Sequence, residues 1–185
     1  MVGRMEVRFV TSNPGKFTEV RELLRPTGAR VRWSRKVLPE PQADTLQEVV
    51  RAKLGAVSSH RGFTLVEDSG LFLEGLAGFP GVYSAYIYRI WRFAPILELL
   101  RKRSRRATFR TVAGLTRGRE EWLFEGTCQG HIAPRPRGSQ GFGFDPIFVP
   151  DGARRTYAEL TAEEKNGVSH RARAMRKVSD FLLRA

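Results

Sequence analysis

The feature that most constrains the fold is a pair of long strand-like runs in the second half of the chain. Residues 107–115 and 121–132 both read as strands, and Arg117-Gly118-Arg119 lies between them as a short turn. Strands joined by so short a turn pair antiparallel. The remaining strand and helix patterns do not follow a strict β-α-β alternation. We therefore expect an α/β fold of the mixed α+β type, built on a mixed sheet that is partly antiparallel.

The start of the chain combines a strand, a polar turn and a helix. Residues 6–10 alternate as a strand does, and apolar residues at helical spacing predict a helix over residues 14–25. The N-terminus of such a helix attracts anions, although the spacing of a Walker loop is absent. An ordinary capped helix would explain the same pattern. The polar candidates for anion binding are Thr11, Ser12, Asn13 and Lys16.

Carboxylates interrupt an apolar stretch at residues 64–73. We interpret Glu67-Asp68-Ser69-Gly70 as a turn between two strand segments, where buried charge requires a counter-ion or a metal. Neighbouring strand residues point to opposite faces, so Glu67 and Asp68 are not expected to act side by side. Glu40 lies between two prolines in a stiffened loop and is a second candidate acid. Carboxylates with open coordination suit Mg²⁺, whereas a solvated turn would need no metal.

Two later segments carry groups that suit a nucleotide. In Gly141-Phe142-Gly143-Phe144-Asp145-Pro146, glycines beside aromatic rings leave a ring face open for a flat base. The same rings would equally fill a corner of the core. Residues 165–171 predict a second helix start, capped by a serine, although a lone histidine is also common on a protein surface. The donors in this segment are Lys165, Ser169, His170 and Arg171.

Composition limits the class of protein. Of the 185 residues, 41% are hydrophobic and 28% are charged, as in a globular domain, and the net charge of +13 attracts polyanions. That charge fits either a nucleic-acid binder or an enzyme for a small polyphosphate. No apolar run has the length of a membrane helix, the first residues show no secretory leader, and Cys128 has no second cysteine to pair with. We therefore expect a cytoplasmic protein with no membrane partner.

These segments occur together and in order, and in that combination the chain resembles the inosine triphosphate pyrophosphatase family, also called the Ham1-like or dITP/XTP pyrophosphatases. The resemblance covers almost the whole chain and implies a single domain over residues 1–185 with two lobes. The segments that carry it are Thr11-Ser12-Asn13-Pro14-Gly15-Lys16, Leu38-Pro39-Glu40, Val66-Glu67-Asp68-Ser69-Gly70-Leu71, Gly78-Phe79-Pro80-Gly81-Val82-Tyr83-Ser84-Ala85, Gly141-Phe142-Gly143-Phe144-Asp145-Pro146-Ile147-Phe148, Thr156-Tyr157-Ala158-Glu159-Leu160 and Lys165-Asn166-Gly167-Val168-Ser169-His170-Arg171.

The resemblance implies an activity and an architecture. The activity is hydrolysis of ITP, dITP and XTP between the α- and β-phosphates, which releases a nucleoside monophosphate and pyrophosphate. The family also implies one or more Mg²⁺ ions per subunit and a homodimer. Because no RNA- or DNA-binding signature appears in the sequence, nucleic acid is not expected as a specific partner. Its fold is an elongated mixed β-sheet with helices that form two lobes around a nucleotide cleft.

Site residues follow from the positions that match the family motifs. Glu40 and Asp68 are the implied metal ligands, and Asp68 is our candidate for the catalytic residue that orients or deprotonates the attacking water. The implied substrate-binding residues are Thr11, Ser12, Asn13, Lys16, Lys53, Ser69, Gly70, Phe142, Gly143, Phe144, Asp145, Lys165, Ser169, His170 and Arg171.

Base selection is expected at position 6 of the purine. Hypoxanthine and xanthine carry an oxygen acceptor there, so a site that donates to O6 would leave buried donors unpaired against adenine. Two alternatives remain open. The basic run Arg101-Lys102-Arg103-Ser104-Arg105-Arg106 supports a basic nucleic-acid-binding module, for which steep salt dependence of DNA binding would be diagnostic. A Maf-like nucleotide pyrophosphatase acting on pyrimidine or methylated nucleotides is the other.

Overall fold

The computed structural model describes residues 5–57 and 61–185. The expectation that no leader is present rests partly on residues 1–4, which lie outside that range. The strands are β1 (Glu6–Val10), β2 (Arg30–Ser34), β3 (Phe63–Leu73), β4 (Pro80–Gly81), β5 (Arg106–Arg117), β6 (Glu120–Ile132) and β7 (Phe148–Pro150). The helices are α1 (Pro14–Leu24), α2 (Leu46–Gly55), α3 (Ser84–Trp91), α4 (Ala94–Leu99), α5 (Ala162–Val168) and α6 (His170–Leu182).

Within the described residues, the seven strands form one sheet in the order β2-β1-β3-β5-β6-β7, with β4 paired to β3. Strand β1 is parallel to both β2 and β3, whereas β4 and β7 run antiparallel to β3 and β6. The expected hairpin is present, because β5 and β6 are neighbours joined by a turn at Gly118 and Arg119. The predicted mixed α/β class is therefore confirmed. In the part of the chain that the structure describes, no helix has the length and apolar character needed to span a bilayer.

The chain divides into two compact units. The first unit comprises Met1–Asp68, Thr111–Gly126 and Arg171–Ala185, and the second comprises Ser69–Arg110 and Thr127–His170. Strands β3, β5 and β6 each contribute residues to both units. Whether the two units act as a single domain stays a prediction.

Each unit has its own apolar core. In the first, α1 and α6 pack against β1, β3 and β5 through Val7, Phe9, Val20, Leu24, Phe63, Leu65, Ala113, Leu115, Ala174, Met175, Val178 and Leu182. In the second, α3, α4 and residues near β7 contribute to a cluster that includes Leu71, Leu73, Ile87, Ile96, Leu100, Phe109, Ile132, Phe144, Phe148 and Tyr157. Burial of these side chains is the main favourable contribution to the stability of both units.

The interpretation of residues 67–70 as a turn is wrong. Strand β3 runs without interruption from Phe63 to Leu73, and Glu67 and Asp68 are only 4% and 6% exposed. Buried carboxylates are costly unless they are paired, and both of these residues have basic partners that lie far away in the sequence. Because those partners compensate the charge, the strand does not have to break where its sequence becomes acidic.

The parallel pairing brings the end of β1 beside the acidic part of β3. Val7 pairs with Phe63 and Phe9 with Leu65, so the loop that follows β1 reaches the level of Glu67. The carboxyl ends of parallel strands in an α/β sheet are the usual place for ligand-binding loops. The fold of the first unit therefore positions the loop between β1 and α1 next to the carboxylates of β3.

Candidate active site

The loop between β1 and α1 has the local structure of an anion-binding site. The Asn13 side chain caps α1 by accepting the Lys16 N–H at 3.1 Å, and Thr11 Oγ1 accepts the Asn13 N–H at 3.2 Å. Among the described residues, nothing accepts a hydrogen bond from the N–H groups of Ser12 and Gly15. These two donors lie at the positive end of the α1 dipole, where an anion is stabilised.

Asp68 and Lys53 form a buried ion pair in the first unit. Asp68 Oδ1 accepts from Lys53 Nζ at 2.6 Å, and the two side chains are 9% and 6% exposed. The same ammonium contacts Glu40 Oε1 at 3.1 Å, and the Glu40 side chain is 61% exposed. Helix α2 directs Lys53 inward on its buried face, and a capping box between Thr45 and Glu48 fixes where that helix begins. One lysine thus joins the two carboxylates that the sequence predicts as metal ligands.

Burial and charge act in opposite directions on this ion pair. Burial raises the pKa of the Asp68 carboxyl above its usual value, and the ammonium groups of Lys53 and Lys16 offset that shift only in part. For Lys53, burial alone would lower the pKa, but the carboxylates of Asp68 and Glu40 outweigh it, so its pKa is raised. Lys53 therefore stays charged, while Asp68 is a stronger base than a solvated aspartate and better suited to accept a proton from water.

Glu67 has different partners from its neighbour Asp68. Its buried Oε1 pairs with Lys16 Nζ at 2.5 Å, and its Oε2 lies 3.4 Å from Arg171 NH2. Arg171 in turn donates from NH1 to Glu19 at 2.6 Å. Glu67 and Asp68 therefore pair with different cations, because neighbouring side chains on a strand point to opposite faces. Glu19 was not among the predicted residues, because its partner Arg171 lies 152 positions away in the sequence and no local pattern links the two.

The carboxylates suit a magnesium ion without forming a complete cage. Among the described residues, no group of three or more His, Cys, Asp and Glu side chains converges as a metal site. Asp68 and Glu40 nevertheless direct one oxygen each at the same point, the Lys53 ammonium. One or two carboxylates are the usual protein contribution to Mg²⁺ in nucleotide sites, since water and phosphate oxygens complete the shell. The donor set therefore fits Mg²⁺, and the roles of Asp68 and Glu40 as ligands stay predictions.

The second unit contains another buried ion pair, between Asp145 and Lys165. Lys165 Nζ donates to Asp145 Oδ2 at 2.6 Å, and both side chains are 5% exposed. The same carboxylate oxygen accepts the Phe142 N–H at 2.9 Å, which pins the loop that the sequence predicts for base binding. The ammonium also lies 5.0 Å from the centre of the partly exposed Phe142 ring. Lys165, Asp145 and Phe142 are thus brought together as one polar and aromatic group.

The other aromatic residue of that loop has a different environment. Phe144 is 3% exposed and packs edge-on against Tyr88 in the core of the second unit. His170 is also 3% exposed, and its ring stacks on Phe109 at 4.5 Å between centroids and lies 6.1 Å from Tyr157. A surface position for this histidine is therefore wrong, and burial of Phe144 agrees with the alternative that these rings fill a core corner. Their roles in substrate binding stay predictions.

The remaining predicted residues are two glycines and two serines, each fixed by its local backbone. Gly70 lies where β3 meets β4, and a Cβ atom on it would overlap the carbonyl oxygen of Gly81 and lie 2.9 Å from its carbon. Ser69 precedes it and is partly buried. Gly143 adopts a φ of 62° with no atom near its missing side chain, so this glycine is required by backbone conformation. Ser169 is fully buried and extended immediately before α6, as a capping residue would be.

The basic run at residues 101–106 is largely used inside the second unit. Arg103 donates to the Gly75 carbonyl, and Arg105 donates to the carbonyls of Ile132 and Ala133. Arg106 forms a two-point ion pair with Asp151, and Arg101 pairs with Glu98. Most of these charges therefore have partners within the second unit. They do not form the row of unengaged cations that a nucleic-acid interface presents.

Taken together, these features define the class of protein. In the first unit, a loop with available amides and buried lysines paired with acids suit a polyphosphate and a metal. The second unit contains an aromatic group beside a lysine, which suits a flat base. The chain belongs to the Ham1 family, whose model matches residues 7–181.

Similar proteins agree with this assignment. The dITP/XTP pyrophosphatase of Thermococcus kodakarensis is 49% identical over 182 residues, which cover 96% of this chain and 97% of the relative. The protein of the same name from Pyrococcus horikoshii is 42% identical over 183 residues, covering 96% and 97%. Among solved structures, a HAM1 protein from Coxiella burnetii superimposes with a TM-score of 0.84 at 30% identity, covering 98% of this chain and 100% of that protein.

Proposed function

We propose that the protein hydrolyses the deaminated purine nucleoside triphosphates ITP, dITP and XTP to the monophosphate and pyrophosphate. The relatives named dITP/XTP pyrophosphatase support this substrate class. The observation that carries the proposal is the Lys53 ammonium, held by Glu40 and Asp68 in the same unit as the anion-binding loop. Attack of water on an already charged phosphate is accelerated mainly by positioning and charge neutralisation, which these groups supply.

The loop after β1 is assigned to the triphosphate. The amides of Ser12 and Gly15 would donate to phosphate oxygens, and the α1 dipole would favour the negative charge. Glu67 would act as a fixed counter-ion that keeps the Lys16 ammonium beside the loop. The side chains that complete phosphate binding in this proposal are Thr11, Asn13, Lys16 and Lys53.

Asp68 is assigned to the attacking water. Its raised pKa gives the carboxylate more affinity for a proton than a solvated aspartate has. Its ion pair with Lys53 fixes one oxygen and thereby the direction of the carboxylate. Mg²⁺ held by Glu40 and Asp68 would neutralise charge on the phosphate oxygens. Lys53 and Lys16 would remain to stabilise the leaving pyrophosphate.

Base recognition is assigned to groups of the second unit, and Arg171 keeps the substrate-binding role that the family motifs imply. Phe142 offers a partly exposed ring, and Lys165 lies beside it with its charge compensated by Asp145. Donors in this region would pair with the purine O6, which adenine lacks. We assign Ser69, Gly70, Gly143, Phe144, Ser169 and His170 to the lining and support of substrate, as the family motifs imply.

A substrate panel tests the proposal. Pyrophosphate release would be measured with Mg²⁺ for ITP, XTP, GTP, ATP and dUTP. Because donors left unpaired against adenine are costly, kcat/KM for ITP and XTP should exceed that for ATP by about a hundredfold or more. An Asp68→Asn preparation, purified in the same way, controls for contaminating phosphatases. Comparable kcat/KM values for ATP and ITP would refute the substrate class, and preferential cleavage of dUTP would favour the Maf-like alternative.

Two further parts of the proposal have separate tests. Chelation by EDTA should abolish turnover and Mg²⁺ should restore it, because the cation would offset the negative charge of both the triphosphate and the carboxylates that hold it. We also propose a homodimer, which light scattering of the purified protein would reveal as twice the 21.0 kDa chain mass. A monomer at enzyme-assay concentrations would contradict that part and leave the assignment of the activity intact.

A further inference from the structure

The indole of Trp33 contacts the loop between β1 and α1 from the neighbouring strand. Trp33 lies on β2, and its Nε1–H donates to the backbone carbonyl of Thr11 at 2.8 Å. The Thr11 N–H donates to the Ser34 carbonyl at 3.2 Å, so the end of β2 holds both backbone groups of Thr11. This tryptophan is not among the residues that the family motifs assign to the site.

The ring of Trp33 is itself held in a stack. It lies parallel to the Phe17 ring, with 4.7 Å between centroids and 9° between planes. The guanidinium groups of Arg35 and Arg21 lie 5.8 Å from the Trp33 ring and 5.6 Å from the Phe17 ring. Phe17 follows Lys16 directly in α1. The indole therefore ties the start of the loop to the first turn of the helix, although 36% of its surface is exposed.

The hydrogen bond to Thr11 fixes the direction of the next amide. In a trans peptide the carbonyl and the following N–H point in opposite directions, so the Thr11 carbonyl determines where the Ser12 N–H points. Among the described residues, nothing accepts a hydrogen bond from that N–H. A donor fixed in advance binds an anion more tightly than one that must first be ordered, because less conformational entropy is lost on binding.

We propose that Trp33 is a positioning residue for the triphosphate, acting through the Thr11–Ser12 peptide. Its indole N–H holds the Thr11 carbonyl, which aims the Ser12 amide at phosphate, and its ring keeps the first turn of α1 in register with the loop. This inference rests on the proposed assignment of the loop to the triphosphate. It requires no contact between Trp33 and the substrate.

The test uses Trp33→Phe, which keeps an aromatic ring for stacking on Phe17 and removes the indole donor. Trp122→Phe is the matched control, because Trp122 lies in the same unit and packs against Phe63 and Phe181. Binding of inorganic tripolyphosphate and of xanthosine would be measured by calorimetry on the full chain. Steady-state hydrolysis of XTP with Mg²⁺ would be measured for the same proteins.

Loss of one hydrogen bond predicts a Kd for tripolyphosphate that rises about two- to tenfold in Trp33→Phe. The KM for XTP should rise by a similar factor with little change in kcat, and the Kd for xanthosine should stay the same. The Trp122→Phe protein should match wild type in all three quantities. An unchanged tripolyphosphate Kd, or an equal loss of xanthosine binding, would overturn the proposal, as would failure of the wild-type protein to bind tripolyphosphate.

A second measurement needs no substitution. In wild-type protein labelled with ¹⁵N, addition of tripolyphosphate should shift the Trp33 indole resonance, because its acceptor belongs to the peptide whose amide binds phosphate. The Trp122 indole should not shift. Binding of tripolyphosphate without any change at Trp33 would contradict the proposal even if Trp33→Phe failed to fold. Absence of XTP hydrolysis together with a Trp33-dependent tripolyphosphate site would refute the proposed enzyme activity and support the role of Trp33.

Discussion

Replacement of Lys53 by methionine is the perturbation that most directly probes the charge balance of the first unit. Methionine keeps most of the volume of the lysine side chain and removes the ammonium that lies 2.6 Å from Asp68 and 3.1 Å from Glu40. Asp68 is 6% exposed, so water cannot replace the lost partner. The variant would therefore contain a buried carboxylate without its nearest cation.

Breaking a buried ion pair by removing one partner costs about 3–5 kcal/mol, whereas replacing both partners by neutral groups is often close to neutral. We therefore expect Lys53→Met to lose stability in that range near neutral pH. Asp68→Asn in addition should restore much of it, with a coupling free energy of at least about 1 kcal/mol. Glu40 contributes little to this balance because its side chain is 61% exposed and well solvated.

The loss should also depend on pH. Burial already raises the pKa of Asp68, and removal of Lys53 takes away its largest opposing influence, so the pKa rises further. A carboxyl whose folded pKa lies above its unfolded pKa destabilises the protein when ionised, and that penalty disappears as the pH falls below both values. Lys53→Met should therefore approach wild-type stability as the pH is lowered towards the unfolded pKa of Asp68.

Urea unfolding of the four proteins of the cycle, with EDTA present, measures these free energies. Lys53→Met, Asp68→Asn and the double variant would be compared with wild type at neutral and mildly acidic pH. Strict additivity of the two single changes would refute the argument, because it would mean that the buried pair is not energetically coupled. If the loss of stability in Lys53→Met does not become smaller as the pH is lowered, the loss cannot be assigned to an ionised Asp68.

Three further predictions concern other parts of the structure. Gly70→Ala should destabilise the protein by about 1–3 kcal/mol or more, because the added Cβ meets the Gly81 backbone. Gly55→Ala is the control and should not destabilise it, because nothing lies within 4 Å of the added Cβ. Thermal unfolding measures both, and equal midpoints for the two variants would be inconsistent with the clash. Arg155 and Thr161 lower the pKa of Glu164 to about 2, so its contribution to stability is present above the ordinary carboxyl pKa and is lost as the pH falls through about 2. The difference in urea midpoint between wild type and Glu164→Gln should accordingly shrink over that interval, and a difference that is constant with pH would contradict the ion pair. The kcat/KM for XTP should fall on the acid side as Asp68 becomes protonated, because Asp68 must be deprotonated to accept a proton. A kcat/KM that does not decrease on the acid side would argue against Asp68 as the base.

Local signals in the sequence predicted much of the first unit. The strand, cap and helix of residues 6–24 are determined by neighbours in the chain, as is the hairpin of β5 and β6. Each of these features depends on hydrogen bonds or side-chain periodicity within a few residues. That is why their bounds agree closely with the sequence-based expectations.

Features that depend on distant residues were harder to predict. The continuity of β3 through Glu67 and Asp68 requires Lys16, Lys53 and Arg171, which no local pattern identifies as partners. Helix α3 was also not predicted, because its aromatic and β-branched sequence resembles a strand and packing outweighs that propensity.

The candidate site shows the same division. Motifs identified the acids and lysines, but only the structure pairs Asp68 with Lys53, Asp145 with Lys165, and Glu67 with Lys16. The pairing of these charges changes their expected chemistry. Asp68 has a raised pKa, whereas Glu67 serves as a counter-ion for Lys16. Sequence patterns cannot provide that distinction because it depends on distances across the fold.

The central claim is that Asp68 accepts a proton from the attacking water, and single-turnover hydrolysis of XTP by Asp68→Asn tests it most directly. With enzyme in excess and Mg²⁺ present, wild type and variant would be compared with Asp180→Asn, an exposed aspartate on α6. We predict a loss of about 10²–10⁴-fold in the rate of the bound substrate for Asp68→Asn and none for Asp180→Asn. Near wild-type turnover of bound XTP by Asp68→Asn would contradict the account.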